Sequence, residues 1–172
     1  WQEGVDTISE RGLVAFIDMA YQGFADGIGE DAQVLQLFAA SGLQFLVASS
    51  FSKSFSLYGE RVGALSVVTA SKDEAARVMS QIKRVVRANY SNPPTHGGAI
   101  VAAVLSSPET RQMWEDELAE MRQRILAMRV SLVDKLQARG VGTDFSFVTR
   151  QRGMFSYTGL GVEQVDRMSD EF

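Results

Sequence analysis

Lys53 is the only lysine between Val47 and Val68, in a segment (VASSFSKSFSLYGERVGALSVV) that is otherwise rich in hydroxyl, aromatic and aliphatic side chains. Most lysines in loops are solvated cations, and this interpretation of Lys53 stays open at this point. A lysine amine in a partly desolvated site is instead a nucleophile towards carbonyl groups. Apolar stretches that predict strands lie on both sides of Lys53, and they favour the second interpretation.

The hydroxyl and guanidinium groups near Lys53 could bind a phosphate. Ser49, Ser50 and Ser52 come just before the lysine, and Arg61 follows it within the same segment. The planar fork of an arginine pairs with two phosphate oxygens at once. An amine beside such a phosphate site indicates pyridoxal phosphate, held by the lysine as a Schiff base.

A carboxylate ends the apolar run LVAFID, residues 13–18. Such a run is typical of a buried parallel strand, and ligands of α/β sheets bind beyond the carboxyl ends of the strands. The run LQFLVAS, residues 43–49, predicts the next buried strand, so Asp18 and Lys53 should emerge at the same edge of the sheet. An aspartate that only caps a turn after its strand fits the pattern equally well.

The composition excludes several classes of function. A net charge of −4 and a pI near 5.1 argue against nucleic acid as a partner, because phosphates require a basic surface. No apolar run of about 18 residues is present, so we predict no membrane contact. The chain has no cysteine and a single histidine, His96, so we predict no metal site and a structural role for His96. The lack of cysteine also fits a cytoplasmic protein.

The rest of the pattern predicts alternating helices and strands. Caps and apolar spacing predict helices at residues 1–11, 31–41, 71–88, from 95, 107–139 and from 162. Besides the two strands above, apolar runs predict strands at residues 62–69, at 144–149 and from 154.

Four motifs follow one another along the chain: DMAYQGF, SFSKSFSLYGERVG, RANYSNPPTHG and GMFSYTGL. Together they resemble the class I aminotransferases, pyridoxal-phosphate enzymes of the aspartate aminotransferase fold, and most of all the bacterial aromatic-amino-acid aminotransferases. The resemblance implies an α/β fold with a three-layer α/β/α arrangement around a mostly parallel sheet. Residues 1–120 would form the C-terminal part of this large cofactor domain of fold type I. Residues 121–172 would form the linking helix and the start of a smaller α+β domain.

The resemblance also implies roles for the residues of the site. Lys53 would hold the cofactor and, once freed by the substrate, would move the proton at the substrate's Cα. Asp18 would pair with the pyridinium nitrogen of the cofactor, and Tyr21 would hydrogen-bond its phenolic oxygen. Ser50 and Arg61 would anchor its phosphate.

Arg87 would act on the substrate. In the family, the arginine at this place reaches into the neighbouring subunit and pairs with the distal carboxylate of a dicarboxylic substrate, which implies a homodimer with shared active sites. The implied substrates are an aromatic or dicarboxylic amino acid and a 2-oxo acid, 2-oxoglutarate, in amino acid biosynthesis.

Two alternatives remain beside this hypothesis: a dedicated aspartate aminotransferase, and a non-catalytic module with the aminotransferase fold. The family's Ser-Gly-Thr phosphate loop and its arginine for the α-carboxylate have no counterpart in these residues. We therefore expect the chain to be part of a longer enzyme and, on its own, to be inactive or nearly so.

Overall fold

The sheet at the centre of the fold has three strands. In the computed structural model, which describes residues 1–172, these are β1 (Ala15–Met19), β2 (Phe45–Ser50) and β3 (Gly63–Val68). They are ordered β1-β2-β3; β1 is parallel to β2, whereas β3 is antiparallel to β2. The three strands predicted before residue 70 are confirmed, and the sheet they form is mixed.

Seven α-helices surround and follow the sheet. They are α1 (Gln2–Arg11), α2 (Ile28–Asp31), α3 (Gln33–Ala40), α4 (Lys72–Tyr90), α5 (His96–Ser106), α6 (Pro108–Ala138) and α7 (Val162–Glu171). The single helix predicted at residues 31–41 is wrong in its first turn, because α2 begins earlier and a separate α3 follows. The Asp31 carboxylate accepts hydrogen bonds from the backbone N–H groups of Gly23, Ala25 and Asp26, at 2.8, 3.1 and 3.0 Å, and so ties the end of α2 to the preceding loop.

Residues at both ends of the long helix α6 determine where it starts and stops. The Ser107 hydroxyl accepts a hydrogen bond from the Thr110 N–H at its start, and Pro108 occupies the first turn, where a missing N–H costs nothing. Gly140, with a φ of 71°, follows its end in the left-handed region that favours glycine. This helix is confirmed, as are the helices predicted at residues 1–11, 71–88, from 95 and from 162.

The core lies between the sheet and two of the helices. Seven apolar side chains from α1, β1, α3 and β2 form one buried cluster: Val5, Ala15, Met19, Val34, Phe38, Phe45 and Val47. Burial alternates along β1, and Phe16 on the opposite face is 65% exposed. In this structure β1 and β2 are therefore buried on one face only, the face that α1 and α3 cover, whereas β3 is largely exposed.

The prediction of strands after residue 143 is wrong. Residues Ser146–Arg150 form a 3-10 helix, and the residues from Met154 to Gly161 are irregular. The Asp144 carboxylate accepts hydrogen bonds from the Ser146 N–H (2.8 Å) and hydroxyl (3.0 Å), which start the 3-10 turn. The same bonds, that from the N–H first, hold the pKa of Asp144 below its usual value.

A membrane-spanning helix is absent: none of the helices combines the necessary length with enough apolar residues.

Candidate active site

The carboxyl ends of β1 and β2 bring the predicted site residues to one edge of the sheet. The register pairs Asp18 with Ala48 and Met19 with Ser49 across the two parallel strands. Tyr21 follows the end of β1, and Ser50 ends β2. Lys53 lies in the turn that follows β2. The prediction that Asp18 and Lys53 emerge at the same edge agrees with this register.

The Lys53 amine lies over an aromatic ring. Its Nζ atom is 4.7 Å from the centroid of the Tyr21 ring, a cation–π contact. None of the four ion pairs in the chain includes Lys53. The half-buried Lys53 therefore has no carboxylate partner within ion-pair distance.

Helix α6 holds the turn that carries Lys53. The Trp114 Nε1–H donates to the carbonyl oxygen of Ser54 at 2.6 Å, and the Trp114 ring stacks on Phe55 with the centroids 4.5 Å apart. Ser52 and Ser54, on either side of Lys53, are both buried. Trp114 was not predicted as a site residue, because no local signal links it to a turn 60 residues away.

The two residues predicted to bind phosphate are neighbours through the β2–β3 pair. Ser50 is opposite Gly63 in the ladder, and Arg61 precedes Gly63 by two residues. The Ser50 hydroxyl accepts a hydrogen bond from the Ser52 N–H at 3.2 Å. One arm of the exposed Arg61 guanidinium donates to the Tyr58 carbonyl oxygen at 2.8 Å, so its other N–H groups are available to an anion.

The backbone of Arg61 is unusual for a residue with a side chain. Its φ of 53° lies in the left-handed region, which costs free energy and in native proteins is concentrated at functional sites. The Phe51 N–H donates to the Val62 carbonyl oxygen at 3.2 Å and so joins the turn of Lys53 to the loop of Arg61.

Arg87 is not brought together with the other five site residues. It lies in the last turn of α4, where its guanidinium is exposed and donates to the hydroxyl of Ser91. Its role towards a substrate stays a prediction.

His96 forms an exposed pair with Glu60, whose carboxylate oxygen is 2.9 Å from the His96 Nδ1 atom. The pair joins the start of α5 to the loop before Arg61. This contact agrees with the structural role expected of a lone histidine.

Two aromatic residues beside Tyr21 complete the site. The ring of Phe155 packs edge-on against Tyr21 with the centroids 5.1 Å apart, and that of Phe24 lies at 6.4 Å. Phe155 was predicted only as part of a strand and a family motif. Its contact with Tyr21 crosses most of the chain, which is why residue spacing does not reveal it.

The chain is similar in sequence to a known protein family and to several of its characterised members. The family described as aminotransferase class I and II matches residues 1–171. The aspartate aminotransferase of Pseudomonas aeruginosa is 62% identical over the whole chain, and the aromatic-amino-acid aminotransferase of Escherichia coli is 49% identical. The chain spans 43% of the length of each of these two relatives.

Solved structures agree with the sequence relatives. The aromatic-amino-acid aminotransferase of Burkholderia pseudomallei, covalently bound to pyridoxal phosphate, is 64% identical and superimposes with a TM-score of 0.97, covering all of this chain and 43% of that one. A mitochondrial aspartate aminotransferase of Trypanosoma brucei is 42% identical, with a TM-score of 0.95, over all of this chain and 45% of that one.

Proposed function

Since the chain belongs to the class I and II aminotransferases, we propose that the full-length protein transfers an amino group between an aromatic or dicarboxylic amino acid and 2-oxoglutarate. Pyridoxal phosphate is its proposed cofactor, held by Lys53 as a Schiff base. The observation that carries this proposal is the Lys53 amine, which lies 4.7 Å from the Tyr21 ring centroid without a carboxylate partner. When bound, the cofactor supplies a ring that accepts electrons from the substrate.

The donor set at the sheet edge fits this cofactor. Asp18, exposed at the end of β1, would face the ring nitrogen and hold a proton on it. The Tyr21 hydroxyl would donate to the phenolic oxygen. Ser50 and Arg61, joined through the β2–β3 ladder, would bind the phosphate oxygens as a hydroxyl and a guanidinium do. The freed Lys53 amine would move the proton at the substrate's Cα.

The similar proteins include both an aspartate aminotransferase and an aromatic-amino-acid aminotransferase, so two substrate ranges are candidates for this protein. The identity to the Pseudomonas aspartate aminotransferase (62%) and that to the Burkholderia aromatic-amino-acid aminotransferase (64%) are nearly equal. We propose activity on both substrate types, with a dedicated aspartate aminotransferase as the second candidate. The ratio of kcat/KM for phenylalanine to kcat/KM for aspartate distinguishes them: a ratio near one supports the broad range, whereas a very small ratio supports the dedicated enzyme.

A homodimer with shared active sites is part of the proposal. Helix α4, which carries Arg87, exposes the apolar side chains Met79, Val85 and Tyr90. Exposed apolar side chains are typical of a surface that is covered, either by the rest of the full-length chain or by a second subunit. The substrate role of Arg87 in the partner's site, a cytoplasmic location and a place in amino acid biosynthesis belong to the same proposal.

The two proposed domains would meet within α6. Its first half contacts the site loops, through Trp114 at Ser54 and Arg122 at Gly23. Its second half carries Arg129, which contacts residues 151–156. This change of partners supports a boundary near residue 120, with residues 1–120 in the cofactor domain and residues 121–172 in the linking helix and small domain.

Trapping of the cofactor tests the proposed chemistry. The full-length protein is incubated with pyridoxal phosphate, reduced with borohydride and mapped by peptide mass spectrometry. We expect the pyridoxyl adduct on Lys53, no adduct at that peptide in Lys53→Ala, and an unchanged adduct in Lys83→Ala, which removes an exposed lysine of α4. A folded wild-type protein without an adduct on Lys53 would overturn the proposal and favour a non-catalytic module.

A further inference from the structure

Arg129 is a buried cation without an anionic partner. Its side chain is only 4% exposed, although it belongs to none of the four ion pairs of the chain. A buried guanidinium has to be satisfied by hydrogen bonds, because leaving its charge bare in the interior is costly. All of its partners lie in one short segment, residues 151–156, which we call the clamped segment.

The contacts of Arg129 use every arm of the guanidinium. Nε donates to the Ser156 hydroxyl at 2.8 Å, and one terminal nitrogen donates to the Gln151 carbonyl oxygen at 2.6 Å. The other terminal nitrogen donates to the carbonyl oxygens of Gly153 and Phe155. The guanidinium therefore fixes the backbone of the clamped segment at three of its carbonyl groups.

The clamped segment ends at an aromatic contact with the active site. Phe155 is 69% exposed, so burial alone does not fix its ring. The ring nevertheless lies edge-on against Tyr21, with the centroids 5.1 Å apart, and the Lys53 amine lies 4.7 Å from the same Tyr21 centroid. Arg129, Phe155, Tyr21 and Lys53 thus form a continuous series of contacts from α6 to the proposed cofactor site.

We propose that Arg129 is a positioning residue of the active site. By fixing the backbone of the clamped segment, it holds Phe155 against Tyr21 and so sets the position of the Tyr21 hydroxyl relative to Lys53. Arg129 itself touches neither the substrate nor the cofactor. This inference rests on the proposed function, since the Tyr21 hydroxyl matters only if a cofactor is bound beside it.

The geometry makes a lysine a poor substitute. A lysine ammonium has three donors on a single nitrogen, whereas Arg129 reaches four acceptors from three nitrogens spread in a plane. Arg129→Lys should therefore keep the charge and leave the clamped segment only partly held.

A double-mutant cycle in the full-length protein loaded with pyridoxal phosphate tests the inference. The variants are Arg129→Met, Phe155→Ala and the double variant, with Tyr21→Phe as the reference for loss of the hydroxyl. The readouts are the affinity for the cofactor and the pH midpoint of its visible absorption, which a purely stabilising residue would not move. Arg167→Met is the matched control, because Arg167 pairs with Glu171 within the exposed helix α7.

We expect Arg129→Met and Phe155→Ala to move the pH midpoint in the same direction as Tyr21→Phe and to weaken cofactor binding about two- to tenfold, the value of one aromatic contact. The double variant should lose no more cofactor affinity, and shift the pH midpoint no further, than either single variant, because both changes break the same series of contacts. Arg129→Lys should give an intermediate shift, and Arg167→Met none.

Two results would overturn the inference: effects of Arg129→Met and Phe155→Ala that add in the double variant, or a pH midpoint that Arg129→Met leaves unchanged. If Arg129→Met does not fold, Arg129→Lys takes its place in the same cycle with the same two criteria. Failure of the proposed function looks different, because the wild-type protein would then bind no cofactor at Lys53.

Discussion

At the scale of single residues, the partner of Lys53 decides what its amine can do. A carboxylate would hold the ammonium in an ion pair, whereas the face of the Tyr21 ring, 4.7 Å from Nζ, offers a contact of about 0.5–1 kcal/mol at a partly exposed site. Such a contact orients the amine but is weak enough to be broken easily. The amine can therefore leave the Tyr21 ring and react with a carbonyl carbon at a small cost in free energy.

Replacement of Tyr21 separates its ring from its hydroxyl. Tyr21→Phe keeps the ring below Lys53 and next to Phe155 but loses the proposed hydrogen bond to the cofactor; Tyr21→Leu loses both. We expect cofactor affinity, measured by absorbance titration, to fall about fivefold in Tyr21→Phe, since one hydrogen bond is worth about 1 kcal/mol, and further in Tyr21→Leu. Equal affinities in the two variants would show that the hydroxyl is the only part of Tyr21 that acts.

The proposed contact between Arg61 and the phosphate can be tested by comparing the binding of the cofactor with and without its phosphate group. Arg61→Ala should weaken binding of pyridoxal phosphate by about one to two orders of magnitude, because it removes charge-assisted hydrogen bonds worth about 1.5–3 kcal/mol. Binding of pyridoxal, which has no phosphate, should be unchanged. Comparable losses for both compounds, measured by titration, would assign Arg61 to the shape of its loop and not to the phosphate.

Residue spacing predicts those members of the site that lie at strand ends. Asp18 and Lys53 follow two parallel strands, and the common edge of such strands is a property of the sheet that apolar runs reveal. Trp114, Phe155 and Arg129 were not assigned to the site. Their contacts with the turn, with Tyr21 and with the clamped segment depend on tertiary packing across 22 to 134 residues of sequence, for which no local pattern exists.

At the scale of elements, α6 stabilises the turn of Lys53 by two separable contacts. Trp114→Phe removes the hydrogen bond to the Ser54 carbonyl and keeps an aromatic ring on Phe55. We expect it to lower the free energy of unfolding by about 1 kcal/mol. Trp114→Ala removes both contacts and should cost about 3 kcal/mol, at the lower end for a partly buried tryptophan. Urea denaturation measures both, and equal losses would contradict the stacking contribution.

The β2–β3 pair depends on the missing side chain of Gly63, which is opposite Ser50 in the ladder. A Cβ atom at Gly63 would lie 2.7 Å from the Ser49 carbonyl oxygen, so Gly63→Ala must push the strands apart beside Ser50. We expect a loss of about 1–3 kcal/mol in the free energy of unfolding. Gly98→Ala is the matched control: in α5 its Cβ would meet nothing within 4 Å, and alanine should stabilise the helix by up to about 1 kcal/mol. Equal effects of the two changes would rule out the close approach.

The two strands that were predicted wrongly after residue 143 share one cause. The runs at residues 144–149 and from 154 alternate in polarity as strands do, but a strand forms only where a neighbouring strand takes its hydrogen bonds. Here Asp144 turns the first run into a 3-10 helix, and in the second run the Arg129 guanidinium donates to the Phe155 carbonyl oxygen and the Ser156 hydroxyl. The helices were predicted well because their hydrogen bonds are local and because capping residues, such as Ser71 and Ser107, can be recognised from the sequence.

At the scale of the whole molecule, Arg87 is the residue whose role requires a second subunit. Arg87→Ala should reduce kcat/KM for aspartate by about two orders of magnitude or more, because it removes the cation proposed to pair with the distal carboxylate, a loss of about 3 kcal/mol. Activity on phenylalanine, which has no distal carboxylate, should be retained. Steady-state kinetics with both substrates measure this, and parallel losses would assign Arg87 to folding or dimer formation instead.

Co-expression of Lys53→Ala and Arg87→Ala then tests whether the active sites are shared. In a two-fold dimer, half of the randomly mixed dimers are heterodimers, and each of these would contain one intact site, with Lys53 from one subunit and Arg87 from the other. Activity on aspartate should therefore recover to about one quarter of the wild-type value, although each variant alone is nearly inactive on aspartate. If Arg87 served the site of its own subunit, both sites of the heterodimer would be defective and no recovery would follow. The amount of recovery thus decides between a shared and a self-contained site without requiring a structure of the dimer.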